Sequence, residues 1–304
     1  MAGGQERILR RRIRSVQSTK KITRAMELIA ASRIVRAQQA IAAARPYVAQ
    51  IRQVVADLAR DPEARRHPLY REPEQPRCAG ILAVTADRGL AGAYNSSILR
   101  ATERMIRDNE SRGLEVMLVT TGRKAQSYFR YRGRAPDASF TGFSERPRFE
   151  DARQVASVLI DAYSEGRIDS IHLVYTRFVS LGSQAVTRRQ LIPLQQDPGE
   201  PADAAAEEAG TVVYEYEPGA EEIVERLLPS WVEAEVLAAL LEAAASEQAS
   251  RQRAMKAATD NADDLITRLT RVMNRARQDA ITTEIMEIVG GAEALRQAAA
   301  AGAK

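Results

Sequence analysis

Aromatic side chains make up only 5% of this 304-residue chain, a shortage that fits seams of Ala, Leu and Ile better than a large aromatic-rich core. Cysteine occurs once, at Cys78, which excludes an internal disulfide and a metal-thiolate cluster and points to a reducing compartment. Histidine occurs twice, at His67 and His172, far apart and without ligand-spaced partners, so both read as structural. The longest strictly apolar run, Val236 to Leu241, falls far below the roughly 18 residues that cross a bilayer, so no transmembrane helix is encoded. Also missing are a G-x-x-x-x-G-K-[ST] phosphate loop, a G-x-G-x-x-G after a strand, a nucleophile elbow and a zinc pattern.

What the chain does have is a pair of patterned ends. Ile34, Ala37, Ile41, Ala44, Val48, Ile51, Val55 and Leu58 alternate spacings of three and four, the mark of a coiled-coil seam. Upstream, Leu9, Ile13 and Val16, then Ile22, Met26 and Ile29, keep that spacing locally, with phase slips between the groups. Met255, Ala258, Ala262, Leu265, Leu269, Val272 and Ala276 repeat the alternation near the other end, and Ile281, Ile285, Ile288, Ala292 and Leu295 resume it after a slip. Helices from about Glu6 to Leu58 and from about Ser230 to Arg296 would run roughly 80 and 100 Å, whereas a small domain is only about 30 Å across. Such helices are expected to pair antiparallel as a stalk or to lie inside another protein. Pro46 removes a helical hydrogen bond and predicts a bend near Arg45 to Tyr47.

Hydrophobic residues at 45% and charged ones at 28% are an ordinary globular balance, and the length allows one or two domains. The net charge of +4 is unevenly spread. Residues 1 to 45 hold eleven Lys/Arg against Glu6 and Glu27, about +9, which leaves the rest near −5. This Arg-rich start has no cleavage-like break and runs into the seam, so it reads as mature protein.

Between the ends, the prolines at 62, 68, 73 and 76 mark a connector over Asp61 to Arg77. The pattern then predicts a strand over Ala79 to Thr85, a helix over Ile98 to Arg107, a strand over Glu115 to Thr120 and a helix over Arg123 to Tyr131. A helix over Phe149 to Glu165 and a hairpin of Ser170 to Val179 with Gln184 to Leu194 follow. This order gives an α/β fold class: a long antiparallel coiled coil of the N- and C-terminal helices plus a central Rossmann-like α/β domain. Its boundaries fall at 1–60 for the first helix, 61–217 for the α/β domain and 218–304 for the last helix. Asp197 to Gly210, rich in Pro, Ala and acid, reads as a flexible loop, and Val212 to Tyr216 as a last strand.

The residues leave functional readings open at two places, the turn after the first strand and the basic first helix. Thr85-Ala86-Asp87-Arg88-Gly89-Leu90-Ala91-Gly92 follows the first strand, where a Rossmann-like sheet places a ligand. It reads either as a nucleotide site or as a tight turn with a local salt bridge. The basic first helix suits nucleic-acid phosphates, but it lacks aromatic residues for base stacking, so a solvated face or an acidic protein partner is the better reading.

Two stretches carry a resemblance over essentially the whole chain. IRSVQSTKKITRAMELIAA at Ile13 to Ala31, with RPY at Arg45 to Tyr47, and SEQASRQRAMKAATDNADDLI at Ser246 to Ile266 followed by NRARQDAITTEIMEIVGGAEA at Asn274 to Ala294, resemble the gamma subunit of the F-type ATP synthase. VTADRGLAGAYN at Val84 to Asn95 is similar to that family's turn after its first strand, with Ala91 where many relatives have cysteine. Nothing matches the cysteine-bearing insert of chloroplast forms, so thiol control is not expected, and Asp197 to Gly210 has no counterpart.

The resemblance implies a central-stalk rotor without bond chemistry of its own and without a cofactor or metal. Its partners would be the alpha and beta subunits, the epsilon subunit and the c-ring, with no nucleic acid. Membrane association would be peripheral, on the cytoplasmic face of a bacterial cell membrane. Carried over by position, Ile22, Thr23, Arg24, Met26, Arg251, Arg277, Gln278, Thr282 and Glu287 would contact the alpha/beta ring. Asp87, Arg88, Tyr214, Tyr216 and Glu217 would belong to the foot facing epsilon and the c-ring.

Overall fold

The computed structural model describes residues 2–58, 75–193 and 220–301. In chain order the elements are α1 (Ala2–Leu58), β1 (Cys78–Val84), α2 (Tyr94–Ser111), β2 (Glu115–Thr121), α3 (Arg123–Tyr131), β3 (Ala138–Phe140), α4 (Phe149–Ser164), β4 (Ser170–Phe178), β5 (Gln184–Ile192) and α5 (Ala220–Ala301). They form two units, one of Ala30–Gln252 and one of Met1–Ile29 with Arg253–Lys304. The expected boundaries at 60/61 and 217/218, the 197–210 loop, the 212–216 strand, His67, Tyr214, Tyr216 and Glu217 lie outside the described residues.

The larger unit is built on a five-stranded sheet of order β3-β2-β1-β4-β5. β1 pairs in parallel with both β2 and β4, β2 in parallel with β3, and the β4–β5 hairpin adds an antiparallel edge. Alternation along β1 sends its side chains to two layers. Leu82 and Val84 join α4 and the inner halves of α1 and α5, where Val48, Ile51, Val55 and Leu58 pack with Trp231, Val232 and Val236. Ile81 and Ala83 join Ile98 and Ala101 of α2 and Ala125 and Phe129 of α3 on the other face. α4 starts where Asp151 accepts a hydrogen bond from the Arg148 amide at 2.8 Å, and Glu150 and Asp151 suit the positive end of its dipole.

The predicted strands and helices of this unit appear with shifts of a few residues. β3 leaves no sign in the residue pattern, because three residues at a sheet edge are too short to show a period. α5 begins at Ala220, ten residues before the expected start, and runs through Pro229, just as α1 runs through Pro46.

α1 corrects the reading of its own first half. Its covered positions are Leu9, Ile13, Val16, Lys20, Thr23, Glu27, Ala30 and Ile34, continuing through Ala37 to Leu58 without a phase slip. Ile22, 59% exposed, and Ile29, 51% exposed, lie off the seam, while Met26 is half-buried beside it. The apparent slips arise because Lys20, Thr23 and Glu27 are polar residues on a buried line, which a search for apolar spacing passes over.

In the smaller unit the pairing is antiparallel. Lys20 binds Asp263, and the Thr23 and Thr259 hydroxyls meet at 2.8 Å. The α5 seam there is Met255, Thr259, Ala262, Ile266, Leu269, Met273, Ala276 and Ala280; Val272, expected in it, is exposed. On this register Ala2 lies level with about residue 281. Beyond that point no described residue of α1 lies level with α5, and Ile281, Ile285, Ile288 and Leu295 are exposed instead of resuming a seam.

Candidate functional site

In a doubly wound sheet a ligand settles where the strand order reverses, outside the carboxyl ends of the two strands involved. Here that point lies between β1, whose next strand β2 is on one side, and β4 on the other. The turn Thr85 to Gly92 leaves β1 at this crevice, and α5 closes it. Ser246 donates its hydroxyl to the Thr176 carbonyl at the end of β4 (3.1 Å), and Arg251 donates to the Gly89 carbonyl in the turn (3.1 Å).

The turn is occupied by its own protein. Thr85 donates its hydroxyl to the Thr121 carbonyl and accepts from the Ala125 amide, and Asn95 accepts from the Ala86 amide. The Asp87 carboxylate accepts from the amides of Arg123 (3.1 Å), Gly142 (2.9 Å) and Ser144 (3.2 Å), tying together the loops after β2 and β3. A Cβ on Gly122, at φ +86°, would stand 2.2 Å from the Thr85 carbonyl oxygen, so only glycine lets the two loops approach. Asp87 and Arg88 therefore do not form the local pair expected of them: Asp87 serves the neighbouring loops, and exposed Arg88 reaches Glu145 at 3.7 Å. A nucleotide phosphate would find these donors already engaged.

Beneath the turn lies an ionic cluster that motif reading did not find. Glu247 and Arg251 pair at 2.7 Å with side chains 1% and 5% exposed. Burial pushes the Glu247 carboxyl up, against the opposing pull of Arg251. Buried Tyr94 is pushed well above the usual phenol value by burial and by the Glu247 charge. Glu145 also takes Arg33 of α1 at 2.6 Å. The i,i+4 spacing of Glu247 and Arg251 was readable, but an exposed pair at that spacing looks the same in sequence. The apolar α5 run from Val236 to Leu241, followed after Glu242 by three alanines, was the available hint that this helix has no solvent face here: all of these apolar residues are buried except Leu237 and Ala238, which are half-buried.

The residues proposed to face a ring separate into two sets. Ile22, Arg24, Arg277, Gln278, Thr282 and Glu287 are exposed. Thr23 is turned inward to Thr259, and Arg251 is buried against Glu247 and Gly89. Neither offers its polar atoms to solvent, because each satisfies a buried partner.

The architecture so far is that of a coiled-coil protein carrying a doubly wound domain whose ligand crevice is filled by its own helix. A family model described as ATP synthase matches residues 5–295. An ATP synthase gamma chain of a Parafrankia species is 49% identical over 302 residues, covering 97% of this chain and 99% of that one. That of Frankia casuarinae is 51% identical over 296 residues, covering 96% and 98%. Among solved structures, the central stalk and c-ring of the Tetrahymena thermophila mitochondrial ATP synthase contains a chain similar in fold at a TM-score of 0.60 and 23% identity, covering 78% of this chain and 99% of that one. A Euglena gracilis mitochondrial ATP synthase chain reaches 0.65 at 18% identity, covering 96% and 95%. The chain belongs to the ATP synthase gamma-chain family. Among the described residues no helix is long and apolar enough to cross a membrane.

Proposed function

We propose that this chain is the turning shaft of an F-type ATP synthase, passing torque between a membrane-embedded c-ring and a ring of alpha and beta subunits. Proton flow through the c-ring drives rotation, and the shaft moves the catalytic sites on beta through their states out of phase. The chain itself makes and breaks no covalent bond. It works at the cytoplasmic face of a bacterial cell membrane, held there through the c-ring and epsilon.

The observation that carries this reading is the exposed apolar end of α5. From about residue 281, past the reach of the described part of α1, the helix presents Ile281, Ile285, Ile288 and Leu295 to solvent. A row of exposed apolar residues of this kind marks a surface made for another protein. Arg277, Gln278, Thr282 and Glu287 are exposed on the same stretch and supply polar grip. Exposed polar pairs contribute only about 0–1 kcal/mol each, which suits contacts renewed at every step of rotation. Ile22 and Arg24 join this set from α1, with half-buried Met26 beside them. Thr23 and Arg251 support the helices from within. Asp87 shapes the foot, and Arg88 is the member of that pair available to a partner.

The test is the double variant R277A/Q278A. Its chain should fold with stability within about 0.5 kcal/mol of the parent, since both side chains are exposed. Complexes assembled with it to normal levels should lose much of their ATP turnover or coupled proton pumping. Unchanged rates and coupling would show that torque passes through shape alone.

A further inference from the structure

Apolar packing holds the inner halves of α1 and α5 on the sheet, but hydrophobic contact has no preferred direction and lets a smooth helix roll. One group in that layer is directional. Glu235 of α5 is 1% exposed on its side chain and takes charged partners from two other elements. Arg52 of α1 grips it with two bonds, Nε to Oε1 at 2.5 Å and Nη2 to Oε2 at 2.8 Å. Arg189 of β5 donates to Oε2 at 2.9 Å. Two residues away, Glu233 meets Arg153 of α4 at 3.5 Å.

We infer that Glu235, clasped by Arg52 and Arg189, is the torsional key that locks both long helices to the edge of the sheet. This rests on the rotor reading. A bidentate guanidinium–carboxylate pair fixes the distance and relative rotation of the groups it joins, which a point charge or a methyl contact does not. The key therefore stops α1 and α5 from turning under load while the sheet stays still. A buried ionic group of this type adds little net stability over an apolar replacement, so its value lies in the geometry it enforces. Glu235 is a positioning residue: it acts on the shaft through Arg52 and touches no catalytic group.

The experiment compares assembled complexes carrying the parent chain, E235Q, R52Q and E235Q/R52Q, measuring ATP hydrolysis and ATP-driven proton pumping in the same vesicles. E235Q should keep its hydrolysis rate but lose pumping per ATP several-fold, with the deficit growing as the proton gradient builds. The double variant should be no worse than either single one, because all three remove one joint. Where E235Q assembles poorly, R52K keeps the charge and loses the fork, and it should show the same gradient-dependent slip. Coupling equal to the parent in E235Q or R52K complexes, or a multiplied defect in the double variant, overturns the key. A parent complex that hydrolyses ATP without pumping overturns the rotor reading and the key with it.

Discussion

At the scale of single residues, burial sets the unusual behaviour of this chain more than any motif does. His172 sits half-buried on β4 with Ser170 beside its ring, and burial lowers its pKa below the ordinary 6.5. The native state thus binds that proton less readily than the unfolded chain. Its contribution to stability is complete above 6.5 and is lost as pH falls through that value toward the depressed one. Glu247 works in the opposite sense: its carboxyl is raised, so the native state gains relative stability as pH falls through the raised value. H172N should flatten the loss of stability seen by urea titration between neutral and mildly acidic pH. An unchanged slope would mean that other groups govern that range.

At the scale of elements, legibility followed the periodicity. The α1 seam from Ile34 to Leu58 was readable because every position on it is apolar, and the strand–helix alternation from β1 to α3, with α4 after it, because each of those segments, unlike the three-residue β3, is long enough to show its period. The first half of α1 was misread where Lys20, Thr23 and Glu27 interrupt the apolar line, although a polar pair such as Thr23 with Thr259 is what fixes one register among several. The exposed members of the candidate surface came from matching the signature, and their exposure follows from the register. What sequence could not supply was the inward use of Arg251, since a buried partner 162 positions away at Gly89 leaves no local trace. Replacing Leu269, on the α5 seam, and half-buried Leu265 beside it with Asp should place charge against α1 and unpair the smaller unit. Circular dichroism should then lose helical signal while the sheet-containing unit still unfolds cooperatively. Full helicity in that variant would refute the pairing.

At the scale of the whole molecule, the sheet unit is incomplete without a late part of the chain. A chain ending at Ala245 lacks the Ser246 and Arg251 bonds across the crevice, and one ending at Gln252 keeps them. The shorter chain should unfold at lower urea, by on the order of 2 kcal/mol, given the usual net worth of hydrogen bonds that involve charged groups. Matching midpoints would show that this helix turn does not close the sheet. The closure also has a consequence in time. Domains usually begin to fold as they leave the ribosome, at about 5–20 residues per second. Here the turn at Gly89 waits for Arg251 and Arg52 waits for Glu235, separations of 162 and 183 positions. For much of its synthesis the nascent chain carries an open crevice at the end of β1 and an apolar α1 stripe that still lacks α5. The sheet unit can close only once the last helix emerges.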